Sequence, residues 1–300
     1  MTSPNFFLVG APKCGTTALY HYLAEHPHIF LPHVKEPHYF ANELYRWPLV
    51  KTESEYLKLF DAADPEQTVV GEGSVFYLFS GDALERIREF QPDARIIAMV
   101  RNPVDMVYSL HAQMVHAQNE DVSDFEMAWR LQAARKDGKQ IPARSRTPAM
   151  LQYAEVGKMG RQMQRLLDIF PADQVKVIVF DDFKSDTKGV YEGVLEFLGL
   201  ESDGRDEFPR INANKGTRSA WINRLIRRPP LRVDKILERV KVRLGIRGTN
   251  LGSWLLRLNT TQQSRPKLSV QLRRELVNTF RDDVELLAKL LDRDLSHWLS

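Results

Sequence analysis

Residues 5–19, Asn-Phe-Phe-Leu-Val-Gly-Ala-Pro-Lys-Cys-Gly-Thr-Thr-Ala-Leu, constrain the chain more than any other segment. They read as an apolar strand, a glycine-containing turn and a hydroxyl-rich helix start, the architecture that presents backbone N–H groups and a positive helix end to a phosphate-like anion. The spacing Gly10-x4-Gly15-Thr16-Thr17 nearly matches the nucleotide loop G-x4-G-K-[ST], but Thr16 stands where the phosphate-clamping lysine belongs. The lysine comes earlier, at Lys13, so its charge approaches from the loop side, where a leaving oxygen would be met. The other reading of the segment is a plain strand-to-helix turn.

Further along, apolar and β-branched runs at Phe6–Val9, Val69–Val70, Ile96–Val100 and Val175–Phe180 alternate with segments of helical period. This alternation predicts an α/β fold with a mostly parallel sheet covered on both faces. Arg101 follows the third run; Asn102 reads as an N-cap and Pro103 as the first helical residue, so Asn102, Asp105 and Ser109 share a face that looks back toward the strand end. Residues 154–170 and the stripe Leu268, Leu272, Leu276, Phe280, Val284, Leu287 and Leu291 predict two long amphipathic helices, with Met159 and Met163 in the core.

These motifs resemble those of the sulfotransferases that use 3'-phosphoadenosine 5'-phosphosulfate (PAPS), whose first loop is typically Pro-Lys-x-Gly-[ST]-[ST]. Arg101-Asn102-Pro103 with Ser109 resembles that family's 3'-phosphate element, and Asn214-Lys215-Gly216 its late contact with the same phosphate. Lys35-Glu36-Pro37-His38-Tyr39-Phe40 is similar to the segment bearing the catalytic glutamate in the bacterial type related to the heparan-sulfate sulfotransferases. The resemblance implies a three-layer P-loop-like fold with helices flanking the central sheet. It implies PAPS as co-substrate, held by Lys13, Cys14, Gly15, Thr16, Thr17, Arg101, Ser109, Lys215 and Gly216, with no obligatory metal. Glu36 is the implied general base, Lys13 stabilises the leaving oxygen, and His38 competes for the base role or orients it. An extended segment would put Glu36 and His38 on one side.

Three further positions stay open. Lys35 reads as a helper of the transferred group or of the acceptor, or as a solvated lysine. Glu72 reads as an acceptor-pocket residue or a turn cap, and its neighbour Gly73 replaces a lysine that related segments often carry. Tyr153 reads as acceptor-side or as packing. Cys14, the single cysteine, reads as a small side chain in a crowded turn.

The chain's 300 residues are 43% hydrophobic and 27% charged, which describes a folded domain with ample surface to bury. We expect one sulfotransferase domain over 1–300, with 218–265 as a basic lid or acceptor-recognition segment. Residues 218–257 hold eleven lysines and arginines against Asp234 and Glu238. A net charge of +3 argues against a nucleic-acid binder. The absence of an export signal and of a long apolar run leads us to expect a cytoplasmic, bacterial-type protein with no transmembrane segment, although the basic segment leaves peripheral membrane contact open. Composition leaves the oligomeric state unknown. The expected acceptor is a hydroxyl, less readily an amine, of a small-molecule, carbohydrate or lipid substrate. Two rivals remain. A P-loop kinase or nucleotide hydrolase would use Asp181 as its magnesium-binding acid, and a non-enzymatic membrane-surface adaptor would use the basic segment. Histidines 21, 26, 28, 33 and 38 do not repeat a metal-ligand spacing.

Overall fold

Every residue of the first apolar run is buried, as a strand with neighbours on both edges and helices on both faces requires. The computed structural model describes residues 2–211, 215–217, 260–262 and 266–300. Its first half runs β1 (Phe6–Gly10), α1 (Thr16–Leu23), β2 (Ile29–Phe30), α2 (Glu53–Leu57), β3 (Val69–Gly73), α3 (Ala83–Phe90), β4 (Arg95–Val100) and α4 (Pro103–His116). Then come α5 (Phe125–Arg130), α6 (Gln132–Lys136), α7 (Tyr153–Val156), α8 (Met159–Ile169), β5 (Val175–Val179), α9 (Phe180–Ser185), α10 (Thr187–Leu198) and a C-terminal helix, Val270–Leu290.

The sheet has the order β2-β3-β1-β4-β5, and each of its pairings is parallel. The predicted α/β architecture is therefore observed, with β1 at the centre and helices flanking the sheet. The chain winds first to one side of β1 and then to the other, so a crevice opens at the carboxyl end of β1. The loop after β1 and the residue after β4 meet there.

One predicted helix is broken. Residues 154–170 form α7 and α8 with an interruption at Gly157 and Lys158. A Cβ at Gly157 would lie 2.4 Å from the Phe280 ring, which packs in from the C-terminal helix. Asp283 of that helix accepts hydrogen bonds from the N–H groups of Gly160 (2.7 Å) and Arg161 (3.0 Å), capping the restarted helix. Met159 and Met163 are core residues, as expected, and Leu272, Leu276, Phe280, Val284 and Leu287 turn the C-terminal helix's stripe inward.

A two-stranded antiparallel ribbon pairs β6 (Lys215–Thr217) with β7 (Thr260–Gln262). Apart from 260–262, the basic segment 218–265 lies outside the described residues. Among the described residues no helix is long and apolar enough to cross a membrane.

Candidate active site

The anion loop leaves β1 tightly against its neighbours. Ala11 N–H donates to the Met99 carbonyl of β4 at 2.6 Å. Gly10 has φ 147°, and a Cβ there would sit 2.6 Å from the Val75 carbonyl oxygen, so only glycine fits. Gly15, at φ 92°, is the N-cap of α1 and abuts the Phe180 and Phe183 rings. No side chain caps α1 and its first turn holds no acidic residue. The first-turn N–H groups of Thr16 and Thr17 are thus donors at a positive helix end, suited to an anion. Cys14 is fully buried, and burial pushes its thiol up to about 12 despite the nearby Arg101 and Lys13 charges. It is a packing residue and not a thiolate.

Arg101 follows β4 and reaches back to this loop. Its Nη1 donates to the Lys13 carbonyl at 3.1 Å, its guanidinium lies 4.7 Å from the Phe180 ring centroid, and Nη2 is 3.9 Å from Asp105. Lys13 itself adopts φ 64°. Asn102 caps α4 as expected, accepting from Val104 N–H at 3.0 Å, and its Nδ2 donates to the Trp298 carbonyl. Ser109 lies on a buried face nearly two turns along α4. Lys215 and Gly216 belong to β6, but their side-chain surroundings and Asn214 lie outside the described residues. Asp181 is engaged by the C-terminus: Trp298 Nε1 donates to its carboxylate at 2.8 Å and His297 Nε2 lies 3.3 Å away. That carboxylate serves as a tether, which weakens the kinase reading.

Across the crevice, the segment after β2 carries a carboxylate to the same place. Lys35 Nζ donates to Thr17 Oγ1 at 3.1 Å and to Glu36 Oε1 at 2.7 Å, bridging the anion loop and the carboxylate. Glu36 Oε2 faces His38 Nε2 at 3.7 Å. The segment is not extended, so the strand-side condition stated above does not apply. Glu36 and His38 take left-handed backbone at φ 63° and 53°, and their N–H groups are fixed by the Gly73 carbonyl (3.1 Å) and Ser74 Oγ (3.0 Å). Left-handed backbone, and not a shared strand face, brings the two side chains together.

Electrostatics divide the acids and bases at the site. Burial works to raise the Glu36 carboxyl, but His38 and the Lys35 ammonium outweigh it and hold it down to about 2. Burial lowers His38 against the pull of Glu36, and its ring stacks on Phe76 (5.0 Å) with the Tyr45 ring tilted against it (4.9 Å). At neutral pH the pair is a carboxylate beside a neutral imidazole, which fits His38 as the residue that orients Glu36. Glu72 neither lines the pocket nor caps a turn. It is fully buried and accepts from Tyr56 (3.1 Å) and Tyr77 (2.7 Å), with burial raising its carboxyl to about 7.

Beside Glu36 opens a cavity of about 260 Å³ lined by Tyr45, Phe76, Asn42, Gln113, Asn119 and Arg146, among others. These residues come from segments far apart in sequence, and no local pattern marked them. Phe180, the platform under Arg101, carried a faint signal as the residue that directly follows β5. Tyr153 is not among the cavity residues. Its hydroxyl donates to Glu120 at 2.9 Å, within a buried pair in which Arg135 contacts both Glu120 oxygens. Packing is therefore its role. Among the described residues no group of three or more histidine, cysteine, aspartate or glutamate side chains is placed to hold a metal.

Comparison with known proteins identifies the family. Rat (Rattus norvegicus) carbohydrate sulfotransferase 15 is 26% identical, over 66% of this chain and 44% of its own length. Human (Homo sapiens) heparan sulfate glucosamine 3-O-sulfotransferase 6 is 27% identical, over 71% of this chain and 57% of its own. The chain thus spans about half the length of these curated relatives. The crystal structure of a sulfotransferase from Alicyclobacillus acidocaldarius superposes with a TM-score of 0.73 at 28% identity, covering 100% of both chains. The sulfotransferase domain family matches residues 3–215, a span that holds the anion loop, Glu36 and Arg101, and the chain belongs to that family.

Proposed function

We propose that the protein is a sulfotransferase that moves the sulfuryl group of PAPS to a hydroxyl, with Glu36 as general base. The observation that carries this reading is the run from Thr17 Oγ1 through Lys35 Nζ to Glu36 Oε1, which joins an anion-binding loop to a carboxylate over two short contacts. The residues around the loop fit the donor. An uncapped helix start, Lys13 and Arg101 supply hydrogen-bond donors and positive charge, as a phosphosulfate and a separate 3'-phosphate demand.

In the transfer, the sulfur's bond to the bridging phosphate oxygen breaks while a bond to the acceptor oxygen forms. The acceptor proton goes to the Glu36 carboxylate, and the bridging oxygen leaves on 3'-phosphoadenosine 5'-phosphate. Lys13 opposes the charge growing on that oxygen, and loop N–H groups hold the phosphate. Charge stabilisation of this kind is preorganised, because the donors are already fixed by the fold. Arg101, Ser109, Lys215 and Gly216 are assigned to the 3'-phosphate.

The acceptor enters the cavity beside Glu36. Amide and guanidinium groups from Asn42, Gln113, Asn119 and Arg146, set beside the Tyr45 and Phe76 rings, match the mixed polar and apolar faces of a sugar. The names of the relatives, carbohydrate and glucosamine sulfotransferases, point the same way. Calorimetry with 3'-phosphoadenosine 5'-phosphate against adenosine 5'-phosphate tests the donor assignment. Much tighter binding of the former is expected, and equal affinities refute it.

A further inference from the structure

The anion loop and the general base are joined by a residue that neither role accounts for. Lys35 is largely buried, its side chain 17% exposed, and its Nζ has three defined neighbours. They are Thr17 Oγ1 at 3.1 Å, Glu36 Oε1 at 2.7 Å and the Tyr20 ring, whose centroid is 5.8 Å away. The Tyr20 ring is anchored in turn by its hydroxyl, which donates to the Pro32 carbonyl at 2.5 Å. This is a held ammonium and not a solvated one. Of its two oxygen partners, one belongs to the first turn of the anion helix and the other to the base. The sulfuryl group must pass between those two places during transfer.

We infer that Lys35 is a further catalytic residue whose ammonium contacts the transferring sulfuryl oxygens. The inference rests on the donor and base assignments proposed above. Gly73 leaves room for Lys35. Gly73 accepts the Glu36 N–H at 3.1 Å, so it lies directly beneath the 35–36 segment. A Cβ at 73 would come within 2.8 Å of the Tyr20 ring, so a long side chain there would have to displace that ring. The cation found at this point is Lys35, from the segment hydrogen-bonded to residue 73.

The ammonium is shared, and this gives it a second effect. In the free protein it pairs with Glu36 and helps to hold the carboxyl low. When sulfuryl oxygens compete for the same ammonium, its grip on Glu36 weakens and the carboxylate becomes a better proton acceptor. Arrival of the donor therefore readies the base, and the positive charge follows the group that develops negative charge in the transition state.

Lys35→Met and Lys35→Arg test the proposal through two readouts: single-turnover transfer from radiolabelled PAPS, and calorimetric affinities for PAPS and 3'-phosphoadenosine 5'-phosphate. The second ligand lacks the sulfuryl group and so should not sense Lys35. Lys35→Met is expected to slow transfer by roughly 100-fold, in the range found on removing one transition-state donor. It should weaken PAPS while leaving the product nucleotide within about threefold of the parent affinity, and Lys35→Arg should recover part of the rate because the charge is restored. Transfer by Lys35→Met within about threefold of the parent, or an equal loss of affinity for both nucleotides, overturns the proposal. If the parent protein itself does not prefer 3'-phosphoadenosine 5'-phosphate to adenosine 5'-phosphate, the donor assignment falls and this inference falls with it. A parent that shows the preference, with an unaffected Lys35→Met, overturns the Lys35 role alone.

Discussion

Glu72→Gln should remove a pH-dependent weakness from the fold. Glu72 has no exposed surface, and its Oε1 has no hydrogen-bond partner while Oε2 accepts from Tyr56 and Tyr77. Burial raises its carboxyl from 4.5 to about 7, against the two tyrosine hydroxyls, which work to lower it. Between those two values the folded protein keeps the proton while the unfolded chain releases it. The stabilisation is complete below the unfolded value and is lost as pH rises through the folded one. At ~1.4 kcal/mol per pH unit, the gap corresponds to a loss of about 3 kcal/mol. Glutamine keeps an oxygen for the two tyrosine hydroxyls and has no proton to lose. Urea unfolding of both proteins from pH 4 to 8 isolates the effect, because groups common to the two cancel in the difference. The parent should lose about 3 kcal/mol relative to Glu72→Gln across this range. A difference that stays flat with pH would refute the argument that Glu72 enters the fold as a neutral acid.

Three other outcomes follow from the same geometry. Glu36→Gln keeps size but abolishes basicity, so single-turnover transfer should fall by roughly 10²–10⁴-fold with donor affinity nearly intact, while His38→Asn should cost less. A greater loss in His38→Asn would move the base role to the imidazole. Glu120→Gln leaves Arg135 without its carboxylate at a site where the two side chains are only 0% and 1% exposed, and urea unfolding should report a loss of about 3–5 kcal/mol. Arg101→Ala should weaken 3'-phosphoadenosine 5'-phosphate by roughly 2–5 kcal/mol in calorimetry, with adenosine 5'-phosphate little changed.

What was legible in the sequence is what depends on near neighbours. The β1 turn and α1 follow from an apolar run and two glycines, and the α4 start from Asn102 and Pro103 side by side. The parallel sheet follows from alternating periods. β2 is two residues long, Ile29–Phe30, and carries no period to detect. The break between α7 and α8 was hidden because its causes, Phe280 and Asp283, lie more than a hundred residues away. Glu72 was hidden for another reason: its partners Tyr56 and Tyr77 are near in sequence, but nothing in a Gly-Glu-Gly-Ser stretch shows that their rings close over the carboxyl and bury it. For Lys35 the local sequence offered a charge and no way to choose between solvent and site; only the meeting of α1 with the segment after β2 decides that.

The backbone at the site explains why its parts depend on one another. Lys13, Glu36 and His38 all hold left-handed φ values without being glycine, a conformation that persists only where the surroundings enforce it. The enforcing contacts come from the sheet. Arg101, just past β4, holds the Lys13 carbonyl, while Gly73 and Ser74, at the end of β3, hold the Glu36 and His38 N–H groups. The ladder holds these strand ends, Gly73 pairing with Leu8 of β1 and Val100 with Val179 of β5, so they can oppose a strain of about 1–3 kcal/mol per residue. A consequence falls on Arg101. Its guanidinium is assigned to the 3'-phosphate, yet one of its N–H groups already fixes the residue assigned to the leaving oxygen. Loss of that side chain therefore frees the Lys13 backbone to relax, and the damage should reach the transfer step even when donor concentration is raised to saturate the weakened site.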